Sequence, residues 1–159
     1  MGHLMNWYLK RFSELSTDEL YELLKLRIDV FVVEQTCFYP DLDNLDRHPE
    51  TLHLFAYKDE HIVAYCRLLP PNLVYENESA IGRVVISERG RGLGLGHQLM
   101  QRANEQIDKL WPNDSCHISA QEHLKLFYQQ HGFKQISQMY LEDDIPHIAM
   151  RRESYNKPA

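Results

Sequence analysis

Arg89-Gly90-Arg91-Gly92-Leu93-Gly94-Leu95-Gly96-His97-Gln98-Leu99-Met100 is the stretch on which the fold turns. It follows an alternating apolar run, Ile81 to Ile86, and opens a helical pattern that continues to Leu110. Strand, glycine-dense turn and helix in that order outline an anion cradle. Glycine lets the backbone approach a phosphate closely, and the first-turn N–H groups of a helix have no intrahelical partner. The helix dipole adds about half a positive charge at the same end. Arg89, Arg91 and His97 bring side-chain donors to it.

Two familiar phosphate patterns do not fit. A P-loop ends in Gly-Lys-Ser/Thr, whereas Gly96 is followed by His97 and Gln98. The dinucleotide fingerprint needs a third glycine three positions after the second. Counted from Gly92 that position is Leu95, and from Gly94 it is His97.

Outward from this turn, the chain reads as one domain. Its 159 residues match the size of a single core. With 43% hydrophobic and 25% charged residues it falls among ordinary globular chains. No apolar run approaches the roughly 18 residues of a membrane span, and no signal-peptide pattern is present, so no membrane partner is expected. Met1-Gly2-His3-Leu4 reads as an added leader, with Met5 as the natural start. A net charge of −6 argues against nucleic acid as a partner and is compatible with a cationic amine. Cys37, Cys66 and Cys116 are odd in number and far apart, which points to a reducing, cytoplasmic setting rather than a disulfide framework. His117 and His123 lack zinc spacing, so no metal is expected.

In chain order, Trp7 to Phe12 suggests a first strand. Ser16 and Glu19 form a capping box that opens a helix to about Val33, with Leu20, Leu23, Leu24, Ile28 and Phe31 on its buried face. Residues 34–50, with two prolines and five acidic side chains, read as a long loop. Thr51 to Lys58 and Ile62 to Leu69 suggest a hairpin. Ala80 to Ile86 is the strand feeding the glycine turn. Leu95, Leu99, Ala103, Ile107 and Leu110 give the next helix its stripe, and Pro112 ends it. Cys116 to Ala120 is a further strand. Leu124, Phe127, Tyr128 and His131 mark a short helix stopped by Gly132. Phe133 to Leu141 and His147 to Arg152 read as two last strands around the acidic turn Glu142-Asp143-Asp144. The order β-α-β-β-β-α-β-α-β-β predicts an α/β chain with a mixed sheet flanked by helices. An exposed apolar edge on the last strands would suggest a homodimer.

Arg91-Gly-x-Gly94-x-Gly96 resembles the acetyl-CoA pyrophosphate loop of the GNAT N-acetyltransferases, whose core is Gln/Arg-x-x-Gly-x-Gly/Ala. Phe127-Tyr128-x-x-x-Gly132-Phe133 is similar to that superfamily's second signature. Leu26-Arg27-x-x-Val30-Phe31-Val32-Val33-Glu34-Gln35, Ile81-Gly82-Arg83-Val84 and Asp143-Asp144-Ile145-Pro146-His147-Ile148 resemble its ElaA-type branch. The likeness runs from Leu15 to Met150. It departs at Asp144, where the branch carries glycine, and at Gln121, where many members place an asparagine against the cofactor.

The resemblance implies a central twisted mixed sheet and a single N-acetyltransferase domain over residues 5–159. It implies acetyl-CoA as acyl donor, CoA as product, a small-molecule or peptide amine as acceptor, and direct transfer in a ternary complex. By the same resemblance, main-chain groups of Val84, Val85 and Ile86 pair with pantetheine. Arg91, Gly92, Leu93, Gly94, Leu95, Gly96 and His97 hold the pyrophosphate, Gln121 contacts cofactor, and Tyr128 contacts it and serves as general acid. An amine with a pKa near 10 must lose a proton before attack. Candidate bases or substrate contacts are Glu34, His53 and His147, each of which also suits an ordinary structural role. Arg27 and Arg83, set within apolar runs, are candidates for ion pairs with acids of the 34–50 loop or for substrate contact. Two other readings stay open: a non-catalytic CoA or acyl-CoA binder on the same fold, and an unrelated nucleotide binder.

Overall fold

In the computed structural model, which describes residues 5–156, eight strands make one mixed sheet. They are β1 (Asn6–Arg11), β2 (Leu52–Lys58), β3 (His61–Leu69), β4 (Glu78–Ile86), β5 (Ser115–Gln121), β6 (Lys134–Gln135), β7 (Tyr140–Glu142) and β8 (Ile145–Arg152). The spatial order is β1-β2-β3-β4-β5-β8-β6, and β7 also pairs with β8. Every pairing is antiparallel except β4 with β5. Met1–Leu4, read from sequence as an added leader, lie outside the described residues.

Helices cover both faces. On one, α2 (Leu95–Leu110) buries Leu95, Leu99, Met100, Ala103 and Ile107. Most of these pack on Leu54, Cys66, Leu68, Ile118 and Met150 of the sheet. On the other face, α1 (Thr17–Arg27) sets Leu23 and Leu26 against Phe55, Tyr65 and Val85. Neighbouring strand residues thus serve opposite layers, as the two-residue period of a strand requires. Fully burying one such side chain is worth about 1.5–3 kcal/mol. The expected capping box opens α1: Glu19 N donates to Ser16 Oγ at 3.0 Å, and Ser16 N donates to Glu19 Oε1 at 2.8 Å.

Three expectations need correction. The first helix does not continue in α form to Val33; Ile28–Glu34 is a π-helical segment, closed by Gln35 N donating to Val30 O. Its run of β-branched and aromatic residues is poor α-helix material. Ile28 and Leu110, expected on buried stripes, are exposed. The predicted strand Phe133 to Leu141 is two strands, because four residues, 136–139, stand opposite only Ile148 and Ala149. Ser137 Oγ accepts from Ala149 N at 2.9 Å, so a side chain takes the place of a ladder carbonyl. The last strands do present an apolar edge, with Ile136, Met139 and Leu141 exposed.

Candidate active site

The parallel pair β4 and β5 stays together for only three residue pairs, Glu78–Ser115, Ser79–Cys116 and Ala80–His117. Beyond them the strands part, and a cleft of about 410 Å³ opens between Ile81–Val84 on one wall and Ile118–Gln121 on the other. Arg83 drives the separation. It adopts φ +52, left-handed, and the register between β3 and β4 slips there, from Tyr65↔Val85 to Arg67↔Gly82. Two β4 residues therefore face Cys66, a bulge that twists the strand away from its neighbour. Past Ala80 the β5-facing edge of β4 has no strand partner among the described residues, so its main-chain groups are free to bind an extended ligand. Val84 lines the cleft, whereas the Val85 side chain is buried under α1.

At the end of β4 the chain turns through Glu88–Gly90, capped by Ser87 Oγ accepting from Gly90 N at 3.2 Å. Gly90 is there for space: a Cβ would stand 2.9 Å from Leu95 Cδ1 and 3.1 Å from Val63 O. Gly92 and Gly94 are there for conformation, with φ +80 and +71. A Cβ at either would meet nothing within 4 Å, so this surface is open. Gly94 caps α2 without a side chain, which leaves the amides of Leu95, Gly96 and His97 to an outside acceptor. Orphan amides, a helix N-terminus and an open glycine surface fit a diphosphate. Leu93 is exposed, while the Leu95 side chain is buried and only its N–H is on offer. Arg91 reaches Glu34, Nη2 to Oε2 at 2.9 Å.

Tyr128 is at the cleft, on α3 (Lys125–Gln129). It is 5% exposed, with Phe127 and Phe133 edge-on to its ring. Burial pushes its phenol well above the ordinary tyrosine range, so it holds its proton at neutral pH. Gln121 lines the same cleft and donates to Gln35 Oε1 at 3.3 Å. His147, on β8 beside Gln121 of β5, is buried and lines the same cleft, its Nδ1 2.7 Å from Ile145 O and its Nε2 3.2 Å from Glu142 Oε2. Ser119 Oγ hydrogen-bonds the Tyr140 hydroxyl at 2.5 Å and Glu142 Oε1 at 3.3 Å.

The other two candidate bases lie elsewhere. Glu34, held by Arg91, borders a separate cavity of about 290 Å³ between α1 and the Ser87–Arg89 turn. His53 is fully buried, with Nδ1 2.7 Å from the Tyr65 hydroxyl and Nε2 3.0 Å from Asp46 O. Both nitrogens are committed, and burial lowers its pKa. Among the described residues no group of three or more His, Cys, Asp or Glu is arranged to hold a metal ion.

Arg27 and Arg83 do pair with the loop, in a pattern sequence alone missed. Arg27 binds Asp41 and Asp46, Arg67 binds Asp46 and Asp43, and Arg83 binds Asp43 and Asp41. Three arginines and three aspartates alternate in a closed ring at one side of the cleft. The signal for Arg67 was a lone charge inside the apolar run Ile62 to Leu69. His131 and the bulge at Arg83 were missed as well.

A sheet opened between two parallel strands, with a glycine cradle at its end and a proton-bearing phenol at its side, defines the class of acyltransferases built on a mixed α/β sheet. The chain belongs to the GNAT acetyltransferase family: the family's acetyltransferase (GNAT) domain profile matches residues 27–154. Protein ElaA of Escherichia coli is 43% identical over 150 residues, 94% of this chain and 97% of that protein. The crystal structure of Escherichia coli ElaA superposes with a TM-score of 0.88 at 42% identity, covering 94% of this chain and all of that one. An acyl-CoA N-acyltransferase from Pseudomonas aeruginosa gives a TM-score of 0.89 at 48% identity, covering 94% of this chain and 99% of that one.

Proposed function

We propose that this chain transfers an acetyl group from acetyl-CoA to a primary amine, directly in a ternary complex. The observation that carries the reading is a free β4 edge that runs from a cleft lined by the buried Tyr128 to an open amide turn at the strand's end. Leu95, Gly96 and His97 amides, with Arg91, hold the diphosphate. The unpaired edge of Val84–Ile86 aligns pantetheine as an added strand and supplies an N–H to the thioester oxygen, where negative charge develops. The neutral amine forms a C–N bond to the acyl carbon as the C–S bond breaks. Tyr128 gives its proton to the departing sulfur and regains one from solvent. The amine's surplus proton leaves toward His147, the candidate base that faces the cleft. Glu142, beside His147, favours an acceptor that arrives as a cation. Three free cysteines suit the cytoplasm, and the Ile136–Leu141 edge suits a homodimer.

The test is CoA release over a panel of amines, with Tyr128→Phe alongside. The variant is expected to lose more than about tenfold in kcat, over 1.4 kcal/mol of barrier, with CoA affinity nearly unchanged. An unaltered kcat with chemistry rate-limiting removes Tyr128 from the reaction. Absence of turnover with every amine, together with retained CoA binding, would instead favour a non-catalytic acyl-CoA binder.

A further inference from the structure

Two imidazoles meet at the rim of the glycine turn. His97 stands in the first turn of α2, and His131 follows α3. His97 Nδ1 and His131 Nε2 are 2.8 Å apart. Phe127 lies against both rings, at centroid distances of 5.0 and 5.2 Å. Its own edge bounds the cradle, 3.3 Å from where a Cβ on Gly96 would stand. Asn104 Nδ2 donates to the His131 carbonyl oxygen at 3.1 Å and fixes the backbone there.

A bridge of this kind holds one proton, since one nitrogen must donate and the other accept. The outer nitrogens, His97 Nε2 and His131 Nδ1, have no hydrogen-bond or ion-pair partner among the described residues. On β8, Arg152 stands beside Gly132, and both its terminal nitrogens are taken by Asp108 of α2. On the turn before α2, Arg91 is held by Glu34. Among the described residues no carboxylate hydrogen-bonds or ion-pairs with either imidazole to balance a charge placed on the pair. Burial and the neighbouring His97 hold His131 below the ordinary histidine value. An anion at the cradle would supply the missing counter-charge.

Building on the acyl-CoA reading, we infer that His97 and His131 form a proton-linked clamp on a cofactor phosphate, so that CoA binding takes up a proton. The pair accepts one proton on an outer nitrogen and keeps its bridge; two would set N–H against N–H. In the free chain protonation is disfavoured, and beside a phosphate it is favoured. Between the two pKa values CoA affinity therefore falls as pH rises, by up to about tenfold per pH unit. The diphosphate and the 3′-phosphate of CoA share the required chemistry.

Isothermal calorimetry of CoA binding near pH 6.5, in PIPES and in imidazole buffer, reads the proton directly from the difference in heat. The expected result is net uptake of up to one proton by the wild-type chain. His131→Asn and, separately, His97→Asn should abolish it, weaken CoA about three- to tenfold and flatten the pH dependence of affinity. Dephospho-CoA then names the phosphate: retained uptake assigns the diphosphate and lost uptake the 3′-phosphate, and either supports the clamp. CoA binding with the same proton count in wild type and both variants overturns the clamp and leaves acyl transfer standing. No CoA binding by the wild-type chain overturns both.

Discussion

Asp144 stands where the motif resemblance implies a glycine, and the structure shows what an aspartate costs there. Glu142 pairs with Ile145 across a two-residue turn in which Asp143 and Asp144 have φ +49 and +64. Both central residues are left-handed, the geometry of a type I′ hairpin, for which Asp-Gly is the favoured pair. A side chain in that region costs roughly 1 kcal/mol, and Asp bears it better than most. Glycine removes the cost but adds freedom to the unfolded chain. Asp144→Gly should thus stabilise the protein by about 0.5 kcal/mol net, seen as a higher urea midpoint with an unchanged slope. A lowered midpoint would mean that the Asp144 side chain holds the hairpin in some other way. Arg91 shows the opposite situation, a residue legible in sequence as a phosphate ligand yet engaged by Glu34. Since both side chains are exposed, trading that pair for a diphosphate costs at most about 1 kcal/mol.

At the scale of elements, the ring of arginines and aspartates is what turns residues 35–50 from a loop into a wall. Arg27 comes from α1, Arg67 from β3 and Arg83 from β4, and the aspartates all come from the loop. Asp46 is 5% exposed and serves two buried guanidinium groups, Arg27 and Arg67. Asp46→Asn leaves both short of one negative charge in a place water does not reach, so it should cost about 3 kcal/mol. Chemical unfolding measures that loss directly, and a change under about 1 kcal/mol would mean the ring is dispensable. Sequence reading found the elements whose signals are local: the Ser16 cap, the stripe of α2 and the glycine stop after α3. It also offered loop acids as partners for Arg27 and Arg83, beside substrate contact, since a charge in an apolar run needs a partner. What it did not find is set by tertiary context. The π-helical turn after Arg27 differs from an α-helix by one residue per hydrogen bond, less than periodicity resolves over two turns. The bulge at Arg83 follows Gly82, a glycine inside a strand pattern that could have announced it, whereas Ser137 replaces a backbone partner that only the folded sheet reveals. The glycine turn before α2 and the short helix that carries Tyr128 were legible through motifs; His131 comes from a segment whose pattern is that of an ordinary helix end.

For the molecule as a whole, acid is the condition that should undo these arrangements together. Burial alone would raise the Asp43 carboxyl, but its hydrogen bond and charge contact with Arg67 outweigh that and hold it at about 2. Asp46, likewise buried, is held below its usual value by Arg27 and Arg67. The Arg151 hydrogen bond, working against burial, keeps Glu78 at about 2 where β4 and β5 are still paired. Each of these groups binds its proton more weakly folded than unfolded. Their stabilisation is therefore complete above the ordinary carboxylate values of 3.8 and 4.5 and disappears as pH falls from there toward 2. His53 and His117 add an earlier step. Burial lowers both below 6.5, so the folded chain favours their neutral forms and loses stability as pH drops beneath that value. The thermal midpoint should accordingly decline gently below about pH 6.5 and steeply between about pH 4.5 and 2. Asp46→Asn, already lacking one of these carboxylates, should show a shallower acid limb than wild type. A midpoint that stays level down to pH 3 would mean that the ring and the Glu78 pairs, though closed, contribute no net stability, and that desolvation of their charges cancels what the pairing returns.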